Sequence, residues 1–300
     1  LAHYQPIAIS DSLLSQEATR RNWQTNELEE LPLHLQDALA PLPTAPSLVL
    51  IKVPKTLAML EYQLLRLREV VTAETRIIAA GKVKEIHNST LALFEQVLGS
   101  TKTSLAWKKA RLIYPQVEDR PAITNPYPTV WPLDNTDYQI ANHANVFARA
   151  SLDIGARFLL EHLPRQKRGL MVDLGCGNGV LGLMALEYNP EAELLFLDES
   201  YMAVASSQLN VEKNRPQDLA RSRFQVGHSL NGIDSNSIDV IICNPPFHQL
   251  QTITDDIAWQ MFRDAKRCLK RGGELWIVGN RHLDYHIKLK RLFGGAECIA

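Results

Sequence analysis

Leu170-Met171-Val172-Asp173-Leu174-Gly175-Cys176-Gly177-Asn178-Gly179 is a short apolar run, interrupted only by Asp173, that ends in alternating glycines. The run reads as a short strand buried on both faces, and the glycines read as a tight turn opening a helix from Val180 to about Glu187. A second apolar run, Leu194-Leu195-Phe196-Leu197, ends in Asp198. Phe224–Val226, Val240–Cys243 and Leu275–Val278 repeat the pattern, with helical stretches between them. Strands alternating with helices predict an α/β fold with a mainly parallel sheet.

Glycines at 175, 177 and 179 let backbone approach a ligand where a Cβ would collide. The spacing is GxGxG and Val180 follows, so the dinucleotide fingerprint GxGxxG is not met, and no Lys-Ser/Thr follows to make a phosphate loop. Asp173 precedes the turn, and Asp198 lies 19 residues beyond Gly179, at the strand end where a carboxylate grips a ribose diol.

Asn244-Pro245-Pro246-Phe247 follows the buried run Val240–Cys243, at the carboxyl rim where α/β sheets hold ligands. Two prolines fix the backbone and remove two N–H donors. A planar exocyclic amine is a poor nucleophile because its lone pair is delocalised into the ring. The Asn244 side-chain oxygen and the Pro245 carbonyl can accept its two N–H groups, concentrating the lone pair toward a sulfonium methyl. Phe247 would stack on the base. This chemistry needs no metal and no covalent nucleophile, so Cys176 is read as a small filler. Asp173, Gly175, Gly177, Gly179, Asp198 and Asn244 are the candidate cofactor residues; Asn244, Pro245 and Phe247 are the candidate catalytic ones.

At 300 residues, and about 150 per domain, the chain is expected to hold two domains. A hydrophobic fraction of 45% with 22% charged residues excludes a disordered chain. No apolar run reaches the ~20 residues of a membrane span. Four scattered cysteines (Cys176, Cys243, Cys268, Cys298) form no CxxC, so no zinc site or disulfide framework is expected, and a reducing cytoplasm is. Net charge is −1, but residues 46–115 carry eleven cations against five acids, a possible phosphate-binding face or a solvated one.

The first half echoes the second. Ser12–Asn26 aligns with Ser200–Asn214, Val49–Thr56 with Val240–Phe247, and Arg76–Gly81 with Glu274–Gly279, in the same order. Ser10 stands where the second copy has Asp198, and Val53-Pro54-Lys55-Thr56 where it has the Asn-Pro-Pro-Phe motif. The first copy is therefore expected to be degenerate. The start at Leu1 suggests a missing amino-terminal piece, and the stop at Ala300 a missing last strand. Five prolines between Tyr114 and Asn135 predict a connection or extended ribbon, and Val146–Leu163 predicts an amphipathic helix. The expected division is 1–114, a degenerate domain; 115–135, a connection; and 136–300, the catalytic domain.

The motifs DLGCGNG, LDES and NPPFH, in this order, resemble class I S-adenosylmethionine-dependent methyltransferases of the amino-group type. With the segment His143–Arg157 and a degenerate first copy, the chain is similar to the tandem-domain ribosomal RNA guanine-N2 methyltransferases over nearly its whole length. LIKVPKT, HNSTLALFE, LAWKKARL and GNRHLDYH look most like the members that modify large-subunit RNA. The resemblance implies two tandem Rossmann-like domains, the second binding S-adenosylmethionine and the first recognising RNA, and it places Ser229, at the end of the third strand, among the cofactor residues. It further implies transfer of a methyl group to a guanine N2 amine of 23S rRNA by a cytoplasmic protein, here expected to be monomeric and without a membrane. The alternatives are 16S rRNA as substrate, an adenine-N6 or protein-glutamine methyltransferase, and a non-catalytic RNA-binding assembly factor.

Overall fold

From the amino end, β1 (Ile7–Ile9) leads through α1 (Leu13–Thr25) to β2 (His34–Gln36), which pairs with β1 in parallel. Ser12 caps α1, its Oγ accepting from Ser15 N at 3.2 Å. The computed structural model describes residues 5–246, 251–280 and 283–299. They form two compact units: Leu1–Leu39 with Pro128–Ala300, and Ala40–Tyr127.

The unit Ala40–Tyr127 contains β3 (Leu48–Lys52), α2 (Leu57–Arg68), β4 (Arg76–Lys82), α3 (Asn88–Val97), β5 (Thr101–Thr103) and β6 (Ala110–Pro115). Its sheet runs β3-β4-β6-β5, with β3 and β4 parallel and the other pairs antiparallel. Alternate strand residues Ile51, Ile77, Ala79 and Ile113 turn inward onto Leu60, Leu64 and Phe94 of the two helices. Thr56 caps α2 through its hydroxyl, which accepts from Met59 N at 3.3 Å. In this copy the residue aligned with Phe247 is thus a helix cap.

In the larger unit follow β7 (Thr129–Pro132), β8 (Gln139–Asn142), α4 (Ile154–Glu161), β9 (Gly169–Leu174), α5 (Val180–Tyr188), β10 (Ala192–Asp198), α6 (Tyr201–Asn214), β11 (Ser222–Val226), β12 (Ile238–Cys243), α7 (Gln251–Cys268), β13 (Leu269–Ile277) and α8 (Tyr285–Phe293). The main sheet is parallel throughout, in the order β11-β10-β9-β12-β13. Met171, Leu194, Phe196, Val240 and Ile242 bury on one face against α5; Val172, Leu174, Leu195, Leu197, Ile241 and Cys243 bury on the other against α7. Both faces are covered, which is why these strands read as continuous apolar runs. The same alternation turns Asp173 and Asp198 to the α5 side.

The proline-rich stretch contributes β7, paired antiparallel with β8 in a two-stranded ribbon. The helix expected over 146–163 begins only at Ile154. Asp153 caps it, accepting from Ala156 N at 3.1 Å, and Ala148 takes a left-handed φ of 54°, which a continuous helix excludes.

The duplication is visible in the pairing: β1–β2 matches β10–β11, and β3–β4 matches β12–β13, both parallel. No described strand plays the part of β9, which joins the two pairs in the second copy. Residues 5–39 group with the larger unit, and 40–127 form their own.

Candidate active site

The carboxyl ends of four neighbouring strands assemble the site. Register pairs Val226 with Asp198 and sets Cys243 against Leu174, so the turns after β11, β10, β9 and β12 share one rim. The loop after β9 is folded onto β10: Gly175 N and Cys176 N both donate to Leu197 O, at 2.8 and 3.1 Å.

Gly175, Gly177 and Gly179 all take positive φ, a conformation that favours glycine. Gly179 has a φ of 75° and an added Cβ would lie 2.7 Å from Ser207, so this turn packs directly on α6. Gly177 has a φ of 56° and an added Cβ would meet nothing within 4 Å. Its empty side is a cradle open to a ligand, while its N–H donates to Asp198 Oδ2 at 3.0 Å.

Asp198 also accepts from Ser200 N at 2.9 Å. Desolvation raises its carboxyl to about 6, two N–H bonds oppose this, and Glu199 and Asp11 add repulsion. Gly227 N donates to Asp198 O at 2.8 Å and so ties the Ser229 loop to the same acid. Ser229 is buried, with a φ of 50°, and its Oγ has no partner among the described residues.

Asp173 is fully buried. Its Oδ2 accepts from Gly182 N at 2.8 Å, fixing α5 to the strand end, while Oδ1 has no partner. Burial pushes this carboxyl to about 8. Cys176 is buried and accepts from Ser207 Oγ at 3.2 Å; burial and the two aspartates push its thiol well up, which suits a filler and not a nucleophile.

Asn244 stands at the end of β12. Its Nδ2 donates to Asp153 Oδ2 at 3.1 Å, and its Oδ1 is buried without a partner. Pro245 is buried and Pro246 exposed. Phe247 lies outside the described residues. Asp173, Gly175, Gly177, Gly179, Asp198, Ser229, Asn244 and Pro245 therefore share the rim, and a buried orphaned carbonyl, an open cradle and a carboxylate fit a nucleoside-bearing methyl donor. The described residues contain no cluster of metal-ligating side chains.

Three groups escaped sequence reading. Asp153, which the sequence reading places inside a helix, caps α4 and pairs with Asn244. Asn178 Nδ2 donates to Asn142 Oδ1 at 3.0 Å, and Asn210 Nδ2 donates to Asn178 O at 2.8 Å, anchoring the glycine loop to β8 and α6. Asp11 accepts from Asn145 Nδ2, Ser200 Oγ and Met202 N at 2.7, 2.6 and 2.8 Å, bracing the start of α6 beside Asp198.

Residues 137–300 match the family described as Methyltransferase small domain, and residues 1–119 the RLMG N-terminal domain. A curated protein of Aeromonas salmonicida named Ribosomal RNA large subunit methyltransferase G is 62% identical over 299 residues, covering 99% of this chain and 79% of that protein. A Klebsiella pneumoniae protein of the same name is 60% identical, covering 100% of this chain and 80% of its own length. Among solved structures, a T. thermophilus 16S rRNA N2 methyltransferase in complex with AdoMet and guanosine superposes with a TM-score of 0.75 at 20% identity, over 98% of this chain and 85% of that one. That likeness is one of fold.

Proposed function

Because the chain belongs to the ribosomal RNA large subunit methyltransferase G family, we propose that it methylates the exocyclic N2 amine of a guanine in 23S rRNA. S-adenosylmethionine supplies an electrophilic sulfonium methyl group. The observation that carries the reading is the buried, unpartnered Oδ1 of Asn244 on the same rim as the open Gly177 cradle.

Asp198 accepts from the ribose diol, Gly177 admits the donor's backbone-hugging portion, and Ser229 offers an orphaned hydroxyl toward the adenine side. Asn244 Oδ1 and the Pro245 carbonyl accept the two amine N–H groups; Phe247 stacks on the extruded base. Held so, the nitrogen lone pair points at the methyl carbon. The C–N bond forms as the C–S bond breaks, and the displaced amine proton passes to water. Positioning and fixed dipoles carry the rate, with no base required.

The first copy, 1–114, is read as the RNA-recognition part and 136–300 as catalytic, with 115–135 connecting them. The excess of cations in 46–115 supports this. Ribosomal RNA as substrate supports a cytoplasmic site of action, and we read the protein as a monomer. No helix of the described residues is long and apolar enough to cross a membrane. Transfer of tritiated methyl to unmodified 23S rRNA, followed by nucleoside identification, tests the reading. Label in 16S rRNA, in adenine or in protein would replace it with one of the alternatives.

A further inference from the structure

We propose that Asp153 selects guanine over other amino-purines by accepting the N1–H beside the N2 amine. The inference rests on the methyltransferase reading above and deepens it.

A carboxylate can only accept, so the Asn244 amide must turn its nitrogen to Asp153, as it does at 3.1 Å, and its oxygen away. Asp153 thereby fixes the amide in the orientation that leaves Oδ1 for a substrate N–H. Asp153 Oδ2 is occupied twice, by Ala156 N and Asn244 Nδ2, both at 3.1 Å. Its Oδ1 takes no hydrogen bond among the described residues. A Cβ added at Gly155 would lie 3.0 Å from Asp153 Oδ2 and 3.2 Å from Asn244 Oδ1. Glycine at 155 is thus what lets the bonded oxygen of Asp153 and the unpartnered oxygen of Asn244 sit side by side at the start of α4.

An acceptor pair of this kind matches one purine edge. Guanine presents two adjacent donors, N1–H and the N2 amine. Adenine presents its amine beside an N1 lone pair, which a carboxylate repels. A site that hydrogen-bonds a substrate N–H discriminates against an analogue lacking it, because the charged acceptor is left unpaired; Asp153 is half-buried.

The test compares RNA fragments carrying either guanine or 2-aminopurine at the mapped target. 2-Aminopurine keeps the N2 amine but has an N1 lone pair in place of N1–H. For the full chain, kcat/KM for guanine should exceed that for 2-aminopurine by ~30-fold or more. Asp153→Asn keeps an oxygen for Asn244 and Ala156 but offers N1 a donor as well. It should lower guanine turnover and bring the ratio to within about threefold, with the cofactor affinity little changed. A merely structural role would depress both substrates equally. A wild-type ratio near one, or a ratio unchanged in Asp153→Asn, overturns the proposal while leaving amine methylation standing. Transfer to neither fragment would overturn both.

Discussion

Ser12 and Ser200, aligned positions of the internal duplication, bridge each other directly. The contact is reciprocal. Ser12 Oγ donates to Glu199 Oε2 at 2.6 Å and Ser200 Oγ to Asp11 Oδ2 at 2.6 Å, while Leu13 N donates to Glu199 O and Tyr201 N to Asp11 O. Each serine also caps its own helix. Ser10 Oγ accepts from Ser12 N just as Asp198 Oδ1 accepts from Ser200 N, so the first copy keeps the turn but not the acid. Residues 5–39 thereby brace the cofactor side of the catalytic sheet.

Asp11→Ala should therefore cost about 2–4 kcal/mol, because it strands three donors in a buried place. Urea unfolding measures the loss, and calorimetry should show weaker S-adenosylmethionine binding as the Asp198 turn loosens. Unchanged stability would mean that the clamp is incidental.

Cofactor affinity should depend on pH through Asp198. With its carboxyl near 6 in the free protein, it is neutral in mild acid and a poorer acceptor for a ribose diol. Dissociation constants should rise toward tenfold per pH unit below about 6. The free protein runs the opposite way: a raised folded value favours the folded state below the unfolded value near 3.8, and that contribution is lost as pH rises through about 6. Asp198→Asn should flatten the cofactor-affinity profile in calorimetric titrations between pH 5 and 8. The thermal-stability profile should keep a slope across that window, because Asp173, raised to about 8, holds a proton in the folded chain that the unfolded chain has already lost.

Two glycine substitutions should separate binding from folding. Gly177→Ala meets open space, so its folding cost is about 1–2 kcal/mol of left-handed strain, while S-adenosylmethionine affinity should fall at least ~10-fold. Gly179→Ala would press on Ser207 and should destabilise the fold more. Equal effects of the two on melting temperature would argue against an open cradle at Gly177.

The hairpin between β5 and β6 turns on two lysines in left-handed conformation, Lys108 at φ 45° and Lys109 at 65°, between Trp107 and Ala110, whose N–H and C=O groups pair both ways at 2.9 Å. Such turns favour Asn-Gly. Lys108 Nζ lies 4.7 Å from the centre of the Trp107 ring, which is 72% exposed. Replacing the lysines with Asn-Gly should stabilise the chain by ~1 kcal/mol yet weaken RNA binding. Changing Lys108, Lys109 and Arg111 to Glu should lower the log–log salt slope by roughly one per lost phosphate contact. Filter binding across a salt series checks both, and an unchanged slope would place the RNA surface elsewhere.

The rim itself was legible because buried parallel strands announce themselves as apolar runs, and because glycines, Asp198 and Asn-Pro-Pro sit at their ends. The start of α4 was not. Leu152 and the residues before it continue the amphipathic pattern, and only the cap geometry of Asp153 stops the helix. The pairing of Asp153 with Asn244 joins residues 91 apart, and Asp11 with Ser200 joins residues 189 apart, which no local pattern encodes. The hairpin at Lys108-Lys109 lacks the usual turn residues, so no local signal marks the turn.

The most direct test of the account is the product formed on unmodified 23S rRNA by the full chain and by Asn244→Ala. Digestion and mass spectrometry should show N2-methylguanosine with the native chain. Asn244→Ala should form it ~100-fold more slowly or worse, the loss of one buried acceptor in the transition state, with S-adenosylmethionine affinity within a few-fold. Full activity in Asn244→Ala, or methyl on any atom other than a guanine N2, would contradict it.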